Sequence, residues 1–353
     1  MERPIRGRGA SGNPPNRFET LSYLPDPAAR DPEDPGPSTV LLRDTSRSII
    51  AYNDSPDVGF SASINPYRGC EHGCIYCYAR PFHEFLGFSA GLDFETRILV
   101  KEDAPELLRA ELSSPRWTPQ VIAMSGVTDP YQPAERRLRI TRRCLEVLAE
   151  FRNPVAIVTK NHLVTRDVDL LADLAADGAA HVNISVTTLR EDLRRVMEPR
   201  TSTPARRLAA IETLAAAGVP VRVMVAPIIP GLNDVEVPSI VEAAASAGAQ
   251  AATWIPVRLP HAVADLFQAW LSQHFPERKE KVLNRIRAVR GGKLDETRFG
   301  ERMRGSGIFA EQIGRLFDAA CRRAGIGREL PPLSTAAFRR PGEAQQLGLF
   351  DSP

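Results

Sequence analysis

Residues 203–257 read TPARRLAAIETLAAAGVPVRVMVAPIIPGLNDVEVPSIVEAAASAGAQAATWIPV, and their punctuation decides the fold. Thr203 suits a helix N-cap, Pro204 the first helical position and Gly218 the stop. A short, mostly β-branched run, Val219–Ala226, follows at once. Pro238 and Gly248 frame the next helix in the same way, ahead of the run Ala251–Val257. Toward the N-terminus the unit repeats. Gly178 ends a helix before His181–Thr187, and Val155–Thr159, Gln120–Ser125 and Ser61–Pro66 come earlier. Short apolar runs of this kind suit parallel strands buried on both faces. Six such runs alternating with helical segments predict an α/β fold, a partial (β/α)6 TIM-like barrel. An open doubly wound sheet is the structural alternative.

Around this core, residues 1–60 carry nine of the 30 prolines and predict an irregular N-terminal arm. Residues 61–260 form the barrel, 261–330 a helical C-terminal extension and 331–353 a flexible tail. With 353 residues, 43% apolar and 25% charged, the composition is that of a globular protein. A net charge of +2 does not by itself point to nucleic acid or membrane. No apolar run is long enough for a membrane span, and the basic N-terminus lacks the apolar segment of a secretory signal. Five cysteines, an odd and sparse set, argue against a disulfide framework and for a reducing cytoplasm.

Three of those cysteines, Cys70, Cys74 and Cys77, fall in residues 65–80, NPYRGCEHGCIYCYAR. The segment follows the first predicted strand and so lies at the carboxyl end of the sheet, where active sites gather. Gly69 and Gly73 let the backbone curl and bring the thiolates together. A zinc site would take His72 or His83 as fourth ligand, but no second Cys/His pair follows. A 4Fe–4S cluster on three cysteines is the other reading, and it leaves one iron open.

The C-x3-C-x2-C spacing, with aromatic Tyr76 before the third cysteine, resembles the radical S-adenosylmethionine (SAM) superfamily over about residues 60–260. The wording SINPYRGCEHGCIYCYARP, SGVTDPYQPAE and TKN is similar to its spore-photoproduct-lyase-like branch, the DNA repair photolyases. The resemblance implies that Cys70, Cys74 and Cys77 ligate three irons and that the fourth chelates SAM. Reductive cleavage would then yield a 5′-deoxyadenosyl radical that abstracts hydrogen from a substrate. An electron donor such as flavodoxin or ferredoxin is implied as a partner. Carried over position by position, Tyr76 meets adenine, and Ser125, Gly126 and Thr128 meet the methionine amino group. Lys160 meets the carboxylate, Ser185 the ribose or carboxylate, and Arg200 a carboxylate bidentately or a neighbouring Glu198. Asp129 is left to pair with an arginine. The usual Gly-Gly-Glu wording is absent from the second-strand loop. Absent too is the hydrogen-donating cysteine that spore photoproduct lyases place near the end of that strand, which here reads Ala123-Met124-Ser125-Gly126. Cys144 and Cys321 read as buried thiols on helix core faces.

Two features bear on a nucleic-acid partner. Residues 136–143 hold five arginines, and 271–304 hold ten Lys/Arg against five Asp/Glu. Either could track phosphates or form a solvated helix face. The tail pentapeptide Gln346-Leu347-Gly348-Leu349-Phe350 resembles the motif by which bacterial repair proteins bind the DNA sliding clamp, through Gln346, Leu347, Leu349 and Phe350. The expected function is a radical SAM enzyme acting on an unidentified substrate, with a nucleic-acid lesion leading. The alternatives are peptide or tRNA modification, or a clamp-associated iron–sulfur protein that binds or senses redox state without radical turnover.

Overall fold

The computed structural model describes residues 4–19, 37–295 and 298–341. The clamp-like pentapeptide lies outside them. Ten strands form two sheets: β1 (Val40–Arg43), β2 (Ile50–Tyr52), β3 (Ala62–Ile64), β4 (Tyr67–Arg68), β5 (Arg97–Val100), β6 (Ile122–Met124), β7 (Val155–Thr159), β8 (Ala180–Ser185), β9 (Val221–Ile228) and β10 (Ala251–Pro256). Each of the six predicted runs contains a strand or overlaps most of one. The main sheet has the order β10-β9-β8-β7-β6-β3-β2. From β3 to β10 every neighbouring pair is parallel; β2 joins β3 antiparallel.

This order excludes the doubly wound alternative. A doubly wound sheet reverses its strand order at a switch point. Here the six parallel strands stand in strict chain order, and right-handed crossovers then put every connecting helix on one face. The sheet curls into a barrel that stays open. Among the described residues the far edge of β10 meets only the C-terminal segment, where Ala252 N–H donates to Gly327 O at 2.9 Å.

The punctuation works as its chemistry requires. The Thr203 hydroxyl accepts from Arg206 N–H, Pro204 opens the helix Pro204–Ala216, and Gly218 follows it at φ +77°. On the helix Ile140–Phe151 the residues Ile140, Cys144, Leu148 and Phe151 are buried, so Cys144 packs on the core face. Cys321 is buried likewise on the helix Gly307–Ala324.

Two short strands, β1 and β2, fall where the sequence shows only a rise in apolar content. Each is too brief to set up an alternation. The small sheet β1-β5-β4 matters for the site. The chain leaves the main sheet after β3 and, two residues on, pairs β4 with β5 through Tyr67↔Val100 and Arg68↔Leu99. This fixes the backbone immediately before Cys70.

Candidate active site

The cysteine loop is held from several sides. Cys70 N–H donates to Phe94 O at 2.9 Å and Ile75 N–H to Met197 O at 3.1 Å. Gly69 and Gly73 sit at φ +81° and +66°. A Cβ on Gly73 would fall 2.7 Å from Glu95 Oε2, so the turn has room only for hydrogen. Arg80, fully buried, donates Nε to Cys74 O at 3.0 Å and Nη1 to the carbonyls of Ala90 and Gly91. Its Nη2 meets Glu95 at 2.6 Å, and Glu95 also accepts the backbone N–H groups of Gly9 and Ala10. Cysteine loop, buried ion pair and N-terminal arm are therefore one hydrogen-bonded unit.

Cys70 and Cys74 are buried and Cys77 half-buried. Burial pushes all three thiols up, and for Cys70 the nearby Asp129, Cys74 and Cys77 push further in the same direction. Thiolates in such a place require a bound cation. Among the described residues no three Cys, His, Asp or Glu side chains converge on one ion position. His72 Nδ1 lies 3.3 Å from Asp129 and its Nε2 3.2 Å from Asn161 Nδ2, while His83 packs against Phe88 and Phe94. A single zinc ion with a histidine as fourth ligand does not fit. Three soft donors in one buried neighbourhood are the donor set an iron–sulfur cluster uses.

Beside the loop, at the carboxyl ends of β7 and β8, stands a cation-centred group. Lys160 Nζ donates to Ser185 Oγ (2.6 Å), Thr187 Oγ1 (2.9 Å) and Ala226 O (3.1 Å), and lies 3.1 Å from Glu198 Oε1. It sits 5.6 Å from the centre of the Tyr76 ring. Glu198, fully buried, also accepts from the Tyr76 hydroxyl, from Thr187 Oγ1 and from Arg207. Burial alone would raise the Glu198 carboxyl, but the charges of Arg207 and Lys160 overcome it and hold the group well below the usual carboxylate range. Two cations share one carboxylate, so the group carries a net positive charge and can accept an anionic ligand.

Ser125, Gly126 and Thr128 brace the cysteine loop. Thr128 Oγ1 donates to Gly69 O at 2.7 Å, and Gln132 reaches both Thr128 and Gly69. Gly126 O accepts from the Tyr78 hydroxyl at 2.6 Å. Ser125 donates to Thr128 O and holds φ at +132°, a conformation non-glycine residues rarely adopt. Arg200 joins neither group. It meets Glu71 at 3.1 Å and Thr39 at 3.3 Å on the outer side of the loop, and Glu198 is occupied elsewhere.

Sequence reasoning missed three residues here. Glu198, which the sequence offers only as a partner for Arg200, is the hub of the Lys160 group. Arg207 lies one turn into a helix that reads as an ordinary surface helix, but it is buried and donates to Ser185 O and Glu198. Among the described residues Asp129 has no arginine partner. It accepts from Thr159 Oγ1 (2.7 Å) and Lys160 N–H (2.8 Å) and faces His72, which together hold its carboxyl low despite burial. No local pattern marks these three; a buried acid between two strand ends is visible only once the strands are in place.

The family model of the radical SAM superfamily matches residues 64–244. An uncharacterized protein of Mycobacterium tuberculosis is 36% identical over 282 residues, 79% of this chain and 80% of that one. A protein of Methanocaldococcus jannaschii is 31% identical over 173 residues, 49% of this chain and 62% of that one. Among solved structures, a spore photoproduct lyase variant with bound AdoMet and dinucleoside spore photoproduct superposes with a TM-score of 0.56 at 16% identity. The match covers 84% of this chain and 82% of that one. The likeness is one of fold.

Proposed function

The chain belongs to the radical SAM superfamily, and we propose that Cys70, Cys74 and Cys77 hold its 4Fe–4S cluster while the Lys160 group receives SAM. The observation that carries this reading is the net-positive Lys160–Arg207–Glu198 group with the Tyr76 ring beside it, close to the Cys74 thiol. A cluster held there would supply the electron for reductive cleavage of SAM. The protein's own residues do the rest. Lys160 offers its ammonium to the SAM carboxylate, with Ser185 and Thr187 fixing where that ammonium stands. The backbone about Ser125 and Gly126 faces the amino group. Arg80 and Glu95 hold the cysteine loop against the arm. Arg200 takes no part in holding SAM, because its guanidinium is committed to Glu71.

The proposed substrate is a nucleic acid, with a damaged base as the leading case, in a reducing cytoplasm. Two observations support this: the shared fold with spore photoproduct lyase, and the tail residues Gln346, Leu347, Leu349 and Phe350 that would engage a sliding clamp. The hydrogen donor differs from a strand-end cysteine, since Met124 is followed by Ser125 and Cys144 is buried in the core on a helix. No described helix is long and apolar enough to cross a membrane.

The test is formation of 5′-deoxyadenosine by anaerobically reconstituted, dithionite-reduced protein given SAM, with and without damaged oligonucleotide. Product above that of a Cys74→Ser control supports radical turnover, and stimulation by the oligonucleotide supports the substrate. A full, reducible cluster whose EPR signal ignores SAM would leave the redox-sensing reading. Stimulation by tRNA or peptide instead of DNA would move the substrate class.

A further inference from the structure

Asp129 stands between the cysteine loop and the end of β7, and its side chain is only 11% exposed. Four donors reach its carboxylate. Oδ1 accepts from the Thr159 hydroxyl at 2.7 Å and from Tyr131 N–H at 2.9 Å. Oδ2 accepts from Lys160 N–H at 2.8 Å and faces His72 Nδ1 at 3.3 Å. The His72 proton is placed by the ring's other neighbour. The Asn161 side-chain oxygen accepts from Leu163 N–H and from the Ser202 hydroxyl, so its amide nitrogen is the atom that meets His72 Nε2, at 3.2 Å. Nε2 therefore accepts, and the ring's one proton lies on Nδ1, toward Asp129. All four donors are uncharged. Among the described residues no Lys or Arg side chain pairs with Asp129, and the Lys160 ammonium is turned to Glu198.

Donors of this kind keep a carboxylate ionised without cancelling its charge. Burial pushes the Asp129 carboxyl up, but His72, Lys160 N–H and the Thr159 hydroxyl outweigh burial and hold the group below its ordinary value. A negative charge is thus fixed in a place largely closed to water, and it bears on the cysteine loop. His72 lies two residues past Cys70, and Thr128, next to Asp129, donates its hydroxyl to Gly69 O at 2.7 Å. The Asp129 charge opposes ionisation of Cys70 and of Cys77. At Cys77 the cations of Arg80 and Lys160 act the other way, and Arg80 is itself paired with Glu95. Cys74 feels Glu198, Lys160 and Arg207 instead. A charge that opposes thiolate formation also opposes, by the same Coulomb law, the arrival of an electron on a group those thiolates hold.

Resting on the cluster reading above, we propose that Asp129 is a positioning residue that sets the reduction potential of the cluster. Its uncompensated carboxylate, held against the cysteine loop by His72 and against the end of β7 by Lys160 N–H, makes the cluster harder to reduce and a stronger reductant once reduced. The sign suits the reaction, since reductive cleavage of SAM calls for a strongly reducing electron. An arginine in the place of His72 would supply the same hydrogen bond and cancel the charge. A histidine with its proton on Nδ1 supplies the bond alone.

The experiment reconstitutes the full chain anaerobically and follows the EPR signal of the reduced cluster through a redox titration with dithionite and mediators, without SAM. Four variants are compared with wild type. Asp129→Asn removes the charge. Asp129→Ser removes it with a smaller side chain, and carries the test where the amide, a further donor facing His72 and Lys160 N–H, hinders iron uptake. Asp129→Glu keeps the charge. Thr159→Val disturbs the same hydrogen-bonded group and leaves the charge in place. The expected result is a midpoint raised in the two charge-free variants by at least a tenfold shift in the one-electron equilibrium, about 59 mV. Asp129→Glu and Thr159→Val should stay within threefold of wild type. A midpoint unmoved or lowered in the charge-free variants overturns the proposal. So does an equal rise in Asp129→Glu or Thr159→Val, which would make the effect structural. Loss of iron uptake from both charge-free variants, with Asp129→Glu and Thr159→Val loading fully, overturns it as well, because Asp129 would then build the loop and not tune it. Wild-type protein that shows no 4Fe–4S signal strikes the cluster reading itself, and this proposal with it.

Discussion

Replacing Glu198 with glutamine removes one charge from the centre of the Lys160 group while preserving its shape. The carboxylate serves Lys160, Arg207, the Tyr76 hydroxyl and Thr187 with no water access. Removing one partner of a buried ion pair costs about 3–5 kcal/mol, because the other charge is left buried and uncompensated. The glutamine keeps one acceptor oxygen, which places the expected loss near the lower figure, about 3 kcal/mol. At about 2–4 °C per kcal/mol this corresponds to a fall in Tm of roughly 6–12 °C. The sign of the pH dependence follows from the depressed carboxyl. Its stabilisation is present above the unfolded value of 4.5 and is lost as pH falls toward the folded one. The gap between wild type and variant should therefore be full at pH 7 and close progressively below pH 4.5. Thermal unfolding followed by circular dichroism across that range measures it. A second variant, Glu198→Gln/Arg207→Met, should recover part of the loss, since it removes the stranded guanidinium. A gap below about 1 kcal/mol at pH 7, or one that widens on acidification, would refute the account of Glu198 as the group's counter-charge.

Three further outcomes are expected. Gly73→Ala should lose iron on reconstitution, because its Cβ would press on Glu95, whereas Gly218→Ala, with open space around it, should cost about 1–2 kcal/mol from its positive φ alone and keep full iron; metal analysis and unfolding curves separate the two. Cys74→Ser should abolish the visible charge-transfer absorption of reconstituted protein, and Cys144→Ser should retain it, since Cys144 packs in the core; equal spectra for the two would break the ligand assignment. Lys160→Met should weaken SAM binding by about tenfold to a hundredfold, the worth of a hydrogen bond to a charged group, as read by equilibrium dialysis on cluster-loaded protein. Unchanged affinity would remove Lys160 from the SAM site.

Much of the architecture is legible in the chain because its signals are local. Proline at a helix start and glycine at its end act through their own φ angles, and an apolar run of five residues needs no distant partner to be recognised. The cysteine spacing is legible for the same reason: three thiols within eight residues must share a neighbourhood whatever the rest of the fold does. The site side chains divide along the same line. Lys160 and Ser185 are within reach because one follows a predicted strand, the other lies in one, and the resemblance carries both over. Glu198, Arg207 and the His72–Asp129 contact were not, because their roles depend on which segments the barrel brings together.

The sequence by itself determined the alternation of strand and helix, the grouping of Cys70, Cys74 and Cys77, and the resemblance that named the chemistry. Tertiary structure alone decided between barrel and doubly wound sheet, through the unbroken strand order from β3 to β10. It also separated Arg200 from Lys160, placed Glu198 between two cations, and set Arg136 of the arginine run beside Arg200 and Arg206 in the lining of one cleft. The physical reason is common to all four. Charge and burial are properties of a place, and a place is made by segments far apart in the chain meeting in space.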